Sequence, residues 1–175
     1  MSSNLAVLQH HSGITLLENG VQPSLAETLR PFKGCNEESF AEFMQAAISE
    51  YRNLSQPSAI DRDLISSMIV MCQTLRLLGI AELSPIRRNG LATPEMLKRL
   101  EFWLESIESF LSHSLSKNSK SACLSRLISY LCHGSVERPE LYAFLTEDLK
   151  EIARDKHSEL VDEANEILSK FTKAT

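Results

Sequence analysis

The chain has 175 residues, 43% of them hydrophobic and 23% charged, enough for one soluble domain with a proper core and inconsistent with wholesale disorder. Only six glycines and six prolines punctuate it, so long helices are expected in place of many short strands and turns. The net charge of −5 is uneven, with four acids and seven bases in residues 86–126 between two acidic ends; that total disfavours general nucleic-acid binding and membrane-surface binding.

Residues 1–23 are the least legible. LAVLQHH and ITLLENG flank Ser12-Gly13, which predicts a short hairpin or a poorly structured segment. The adjacent His10 and His11 are expected at the surface, not as metal ligands. Ser24-Leu25-Ala26-Glu27 matches a capping box and starts a short helix that Pro31 and Gly34 stop. From there, residues 24–175 read as one helical domain.

Asn36 is an N-cap, with Glu37 and Glu38 at the positive end of the helix dipole. Phe40, Phe43, Met44, Ala47, Ile48, Tyr51 and Leu54 recur at helical spacing and form one stripe. Ser58 and Asp61 open a second helix through Leu78, with Gly79 at the C′ position. Leu64, Met68, Met71, Cys72 and Leu75 face one way there, and Ile69, Val70 and Leu77 the others. A helix apolar all round is expected to be buried all round, so this one is predicted to be central. Its apolar run, residues 64–80, is interrupted by polar residues and is read as too polar to span a membrane.

Ser84-Pro85 starts a single turn before the Arg87-Arg88-Asn89-Gly90 loop, and Thr93-Pro94 caps the helix that carries the only tryptophan. At about 100° per residue, Met96, Leu97, Leu100, Trp103, Leu104, Ile107, Phe110 and Leu111 fall within one arc. Glu101, Glu105 and Glu108 project from the opposite arc. A general acid or base needs burial or a close partner to move its pKa, so this row reads as solvated and not catalytic. Phe102 falls on the polar face among Arg99, Ser106 and His113. Either a neighbouring helix covers it or it is an exposed aromatic anchor for a partner.

Residues 112–121, SHSLSKNSKS, form a polar junction. A helix over 119–133 follows, ended by Gly134, with Cys123, Leu124, Leu127, Tyr130 and Leu131 inward. After Pro139, Leu141, Leu145, Leu149 and Ile152 make one stripe and Leu160, Ala164, Ile167 and Phe171 another. One helix of about 33 residues, or two broken near residues 155–158, would satisfy that pattern. On a continuous helix, Asp148, Glu151, Asp155, Glu159, Asp162 and Glu166 would form an acidic ridge about 27 Å long. Such a ridge would steer and dock a basic partner.

The expected fold is all-α: a single-domain irregular bundle of about five to seven helices around a buried central one. Cys35, Cys72, Cys123 and Cys132 show no C-x-x-C pair, and no basic stretch followed by an apolar run opens the chain, so free thiols in a cytoplasmic protein are expected. H-E-x-x-H, Glu-x-x-His, G-x-S-x-G, G-x-x-x-x-G-K-S/T and G-x-G-x-x-G are absent from the sequence, and no enzyme, cofactor or metal is expected. The leading expectation is a non-enzymatic protein-binding module whose acidic C-terminal face and Phe102 engage a basic partner. Its most concrete form is an inhibitor or immunity-type protein that masks a toxin or nuclease. The alternative is a helical ligand-binding or regulatory domain with a pocket beside the Met-rich helix. Arg87, Arg88, Lys98 and Arg99 would then form a modest anion patch. A homo-oligomer stays open under both readings.

Overall fold

The computed structural model of the chain describes residues 3–15, 22–53, 61–115, 127–128, 131, 138–155 and 160–173. It is all-α; among the described residues there is no strand, only an isolated bridge between Leu29 and Phe32. The chain packs into two compact units, residues 1–111 and 112–175.

In the first unit the helices are α1 (Ser3–His11), α2 (Leu25–Thr28), α3 (Glu37–Asn53), α4 (Arg62–Thr74), α5 (Pro85–Arg88) and α6 (Pro94–Leu115), the last running four residues into the second unit. Helix α1 corrects the expectation of a loose or hairpin segment over residues 1–23. Leu5 and Leu8 are buried one turn apart, and the helix packs on α3 and α4. Ser12-Gly13 ends this helix instead of turning a hairpin. The Ser12 and Gly13 amides donate to the Leu8 and His10 carbonyls, both at 3.0 Å, and Gly13 takes a positive φ of 75°. Two buried leucines are too short a pattern to stand out in sequence.

Helix α3 begins as expected, with the Ser39 amide donating to Asn36 Oδ1 at 3.1 Å. Phe40, Phe43, Met44, Ala47 and Ile48 are buried, and Tyr51 meets Phe110 edge-on at 5.7 Å between ring centroids. Helix α4 begins at Asp61, whose Oδ1 accepts from the Asp63 and Leu64 amides at 2.7 and 3.3 Å; Ser58 lies outside the described residues. Leu64, Met68, Met71 and Leu75 are fully buried. The opposite side is not: Ile69 is 45% exposed and Leu77 67%. The helix is therefore buried along one face only, which corrects the expectation of burial all round. By length and composition alone, residues 62–88 would also suffice to cross a membrane.

Without a break, α4 widens into a π-helical turn, Leu75–Ile80. Gly79 was expected at a left-handed C′ position, yet it sits inside this turn and is not among the glycines with positive φ. A Cβ at Gly79 would come within 2.9 Å of Leu100 Cδ1, and Leu100 is fully buried. Close approach to α6 is what this position requires. Two carbonyls at the helix end are met by side chains. Ser84 Oγ donates to the Gly79 carbonyl and Arg87 Nε to the Ile80 carbonyl, both at 2.8 Å.

Helix α6 starts with the Met96 amide donating to Thr93 Oγ1 at 3.2 Å. Leu100, Trp103, Leu104, Ile107 and Phe110 are buried and Glu101 and Glu105 exposed, as the arc predicts, but Glu108 is half-buried and pairs with Arg76, and Ser106 on the polar side is buried. The helix continues to Leu115, taking in the start of the serine-rich junction.

In the second unit Leu127, Ile128 and Leu131 are helical and buried; Cys123, Leu124, Tyr130, Cys132 and Gly134 lie outside the described residues. A 3₁₀ segment, Pro139–Leu145, leads into α7 (Thr146–Arg154), and α8 spans Val161–Lys173. Helices α7 and α8 pack on each other and both touch the 3₁₀ segment. Tyr142, Leu145, Leu149, Ile152, Ala164 and Ile167 are their buried residues.

Candidate functional site

The acidic ridge required one continuous helix. Helix α7 ends at Arg154, and Asp155 leaves helical geometry at φ −78°, ψ 93°. Helix α8 begins again at Val161 and folds against α7, so the six acids do not form one 27 Å face. Glu159 lies outside the described residues. The remaining carboxylates divide between two helices: Asp148 and Glu151 on α7, Asp155 at its end, Asp162 and Glu166 on α8. Glu166 Oε1 accepts from Lys170 Nζ at 2.6 Å, one turn on. Glu151 and Asp162 are exposed. The last helical region is thus two helices, and the ridge is corrected to two shorter acidic faces.

Phe102 is not an exposed anchor. It is half-buried, meets Phe40 edge-on at 6.3 Å, and carries the Arg99 guanidinium 4.6 Å above its ring. The polar face of α6 is covered there by α3, whose first-turn Glu37 gathers the surrounding groups. Trp103 Nε1 donates to Glu37 Oε1 at 2.7 Å, Arg99 pairs with Glu37 Oε2, and the Trp103 ring stacks on Phe40 at 5.0 Å. Cys35 lies at the edge of this cluster, its thiol donating to the Met96 carbonyl at 3.9 Å. Burial, reinforced by Glu37, pushes that thiol up to about 11. Burial, reinforced by Glu108, does the same to Cys72, also to about 11. Neither is a ready nucleophile at neutral pH.

Of the four residues of the expected anion patch, Arg87, Arg88 and Lys98 are exposed, but Arg99 is engaged by Glu37 and Phe102. Arg87 is engaged through Nε at the end of the π turn. Met68 and Met71 are fully buried, which makes them core residues instead of the lining of an open pocket. No group of three or more His, Cys, Asp or Glu among the described residues is placed to hold a metal.

The histidine pair is where sequence reading missed most. His10 and His11 are both buried, against the expectation of surface residues. His11 Nδ1 accepts from the Leu25 amide at 3.3 Å, and its Nε2 donates to Glu42 Oε2 at 3.1 Å. His10 Nε2 donates to the Gln22 carbonyl at 3.0 Å. Ser24, expected to cap α2, sends its Oγ to the His11 carbonyl instead. Burial, the largest influence, holds the His11 ring below the usual histidine range, against the upward pull of the Glu42 charge and hydrogen bond. Because His11 is fully enclosed, no substrate can reach it, and the pair is structural. No local signal would have found it, since its partners are 12 to 31 residues away.

Exposed aliphatics form the other unanticipated feature. Among the described residues six large hydrophobes are exposed, and four of them, Ile69, Leu77, Leu83 and Leu91, fall between positions 69 and 91. Leu83, at 81%, is the most exposed of the six. The segment that carries the last three is held together by the Arg87 and Ser84 bonds to the π turn and by the Leu91 amide donating to the Ile86 carbonyl at 3.0 Å. Compared with protein-family models, curated proteins and solved structures, the chain matches none of them.

Proposed function

We propose that the protein is a non-enzymatic helical protein-binding module whose docking surface is the outer side of α4, the π turn and the loop through Leu91. The observation that carries this reading is the concentration of exposed aliphatics there, with Leu77 at 67% and Leu83 at 81%, held by a hydrogen-bonded helix end. Scattered exposed leucines mean little, whereas several on one short, internally bonded segment offer a partner apolar area to bury. Arg76 beside them is paired with Glu108, while Arg87 and Arg88 are exposed cations at the edge of this surface. The net charge of −5 and the acids of α7 and α8 favour a basic partner by steering its approach. An inhibitor or immunity-type protein acting on a basic toxin or nuclease is the concrete form of this reading.

The test compares the full chain with a Leu77→Ser/Leu83→Ser variant as bait in extract of the source cell, followed by mass spectrometry. Both substituted positions are exposed, so the variant should keep the wild-type circular dichroism and melting curve. A stoichiometric basic protein held by the wild type and recovered at least tenfold less by the variant is the expected result. Equal recovery with both baits would overturn the docking surface. A co-purifying small molecule or nucleic acid in place of any protein would favour the alternative reading, a helical ligand-binding or regulatory domain. With the partner in hand, neutralising Asp155, Glu159, Asp162 and Glu166 should slow association and flatten its salt dependence.

A further inference from the structure

We propose that His11 is an acid-released latch that fastens the C-terminus of α1 to the start of α2 and to α3. The hydrogen-bond pattern admits one protonation state. A backbone amide can only donate, so the Leu25 N–H requires a bare Nδ1 on His11, which leaves the proton on Nε2 facing Glu42. Adding a second proton would turn Nδ1 into a donor aimed at a donor. The Leu25 bond would be lost, at the first residue of a four-residue helix whose N-cap serine does not cap it and bonds the His11 carbonyl instead. His10 behaves differently, because its Nε2 donates to the Gln22 carbonyl and can do so whether or not the ring is protonated. Among the described residues, the charged groups acting on His11 are Glu42 from α3 and His10 from its own helix. Glu42 favours the imidazolium, while full burial and the His10 neighbour oppose it.

Burial wins, so the folded pKa lies below that of the unfolded chain, about 6.5. The unfolded or opened segment therefore takes the proton first. The stability that His11 contributes is complete above about 6.5 and is lost as pH falls through the folded pKa. Opening would release the seam where Leu5 and Leu8 of α1 are buried, giving the protein an apolar surface that acid uncovers.

Hydrogen exchange by mass spectrometry on the full chain, corrected for intrinsic rates, tests this between pH 7.5 and 5.0. Peptides covering residues 3–15 and 22–33 should lose protection by up to about tenfold per pH unit below about 6.5, while α6 keeps its own. His11→Asn, which keeps an acceptor near the Nδ1 position and cannot titrate, should flatten the profile. Glu42→Gln lowers the folded pKa further by removing the charge that favours the imidazolium, so the onset should stay near about 6.5 and the loss should run to lower pH before it levels off; it decides the matter should His11→Asn not fold. His10→Gln, which removes a neighbour that opposes the imidazolium, should keep the onset near about 6.5 and end the loss at a slightly higher pH. A wild-type profile flat to pH 5.0 would overturn the latch. So would an unchanged profile in folded His11→Asn, a levelling-off at the same or higher pH in Glu42→Gln, or loss of the transition in His10→Gln.

Discussion

Among the described residues, the polar contacts seen in the two units differ in range. In residues 1–111 the polar side chains tie distant elements together. Glu37 joins α3 to Trp103 and Arg99 of α6, His11 joins α1 to α2 and α3, and Ser39 Oγ reaches the Pro23 carbonyl at 2.8 Å. Among the described residues of 112–175 the ion pairs Arg138–Glu140, Glu147–Lys150 and Glu166–Lys170 lie two, three and four residues apart in sequence. Burial there rests on the aliphatic stripes of α7 and α8, with Tyr142 and Phe144 stacked at 6.3 Å beside them. A bond across the chain selects one tertiary arrangement, whereas a bond along a helix strengthens that helix in any arrangement. The first unit therefore has part of its packing specified by named pairs that join separate helices.

The largest effect should come from the face of the α4 helix and its π turn that the first unit buries. Leu75→Ala should cost about 2–5 kcal/mol through lost burial and the cavity left behind, whereas Leu77→Ala, two residues along, should stay within about 0.5 kcal/mol. Urea denaturation of both variants checks this. Similar losses would mean that the exposed face of this helix is not exposed in solution.

Next is the cross-chain network itself. Glu37→Ala should cost about 2–4 kcal/mol, because it strips the acceptor from a fully buried indole and the counter-charge from a partly enclosed Arg99. Glu37→Gln, which keeps an acceptor for Trp103, should cost less. Equal losses in the two variants would show that charge, not the indole bond, is what joins α3 to α6.

The smallest effect belongs to the second unit. Lys170→Met removes an i,i+4 partner from an exposed helix face and should lower stability by about 0.2–0.5 kcal/mol, reduced further by salt. A loss as large as that of Glu37→Ala would erase the contrast between the units.

Periodicity located α3, α4, α6, α7 and α8 because each carries a stripe of several apolar residues. Capping chemistry located the starts of α3 at Asn36 and α6 at Thr93, and placed that of α4 at Ser58 and Asp61, of which Asp61 caps it. Phe102 shows where such reading fails. Its position on a polar arc is correct, yet that arc is covered by α3, and only the partner helix supplies that fact. The acidic ridge failed in the opposite way. Its spacing holds residue by residue, but the chain leaves helical geometry at Asp155 and turns α8 back onto α7.

The sequence by itself determined the all-α class, the inward stripes of α3 and α6 and the caps at Asn36 and Thr93, since each depends on residues within a few positions of one another. Tertiary structure alone decided that His10 and His11 are enclosed, that Gly79 serves close approach to Leu100, and that Leu77 faces outward while Leu75 does not. The physical reason is range. Helix propensity and amphipathicity act over one or two turns, whereas desolvation, hydrogen-bond pairing and packing clearance are set by groups tens of residues away, which exist as neighbours only once the chain has folded.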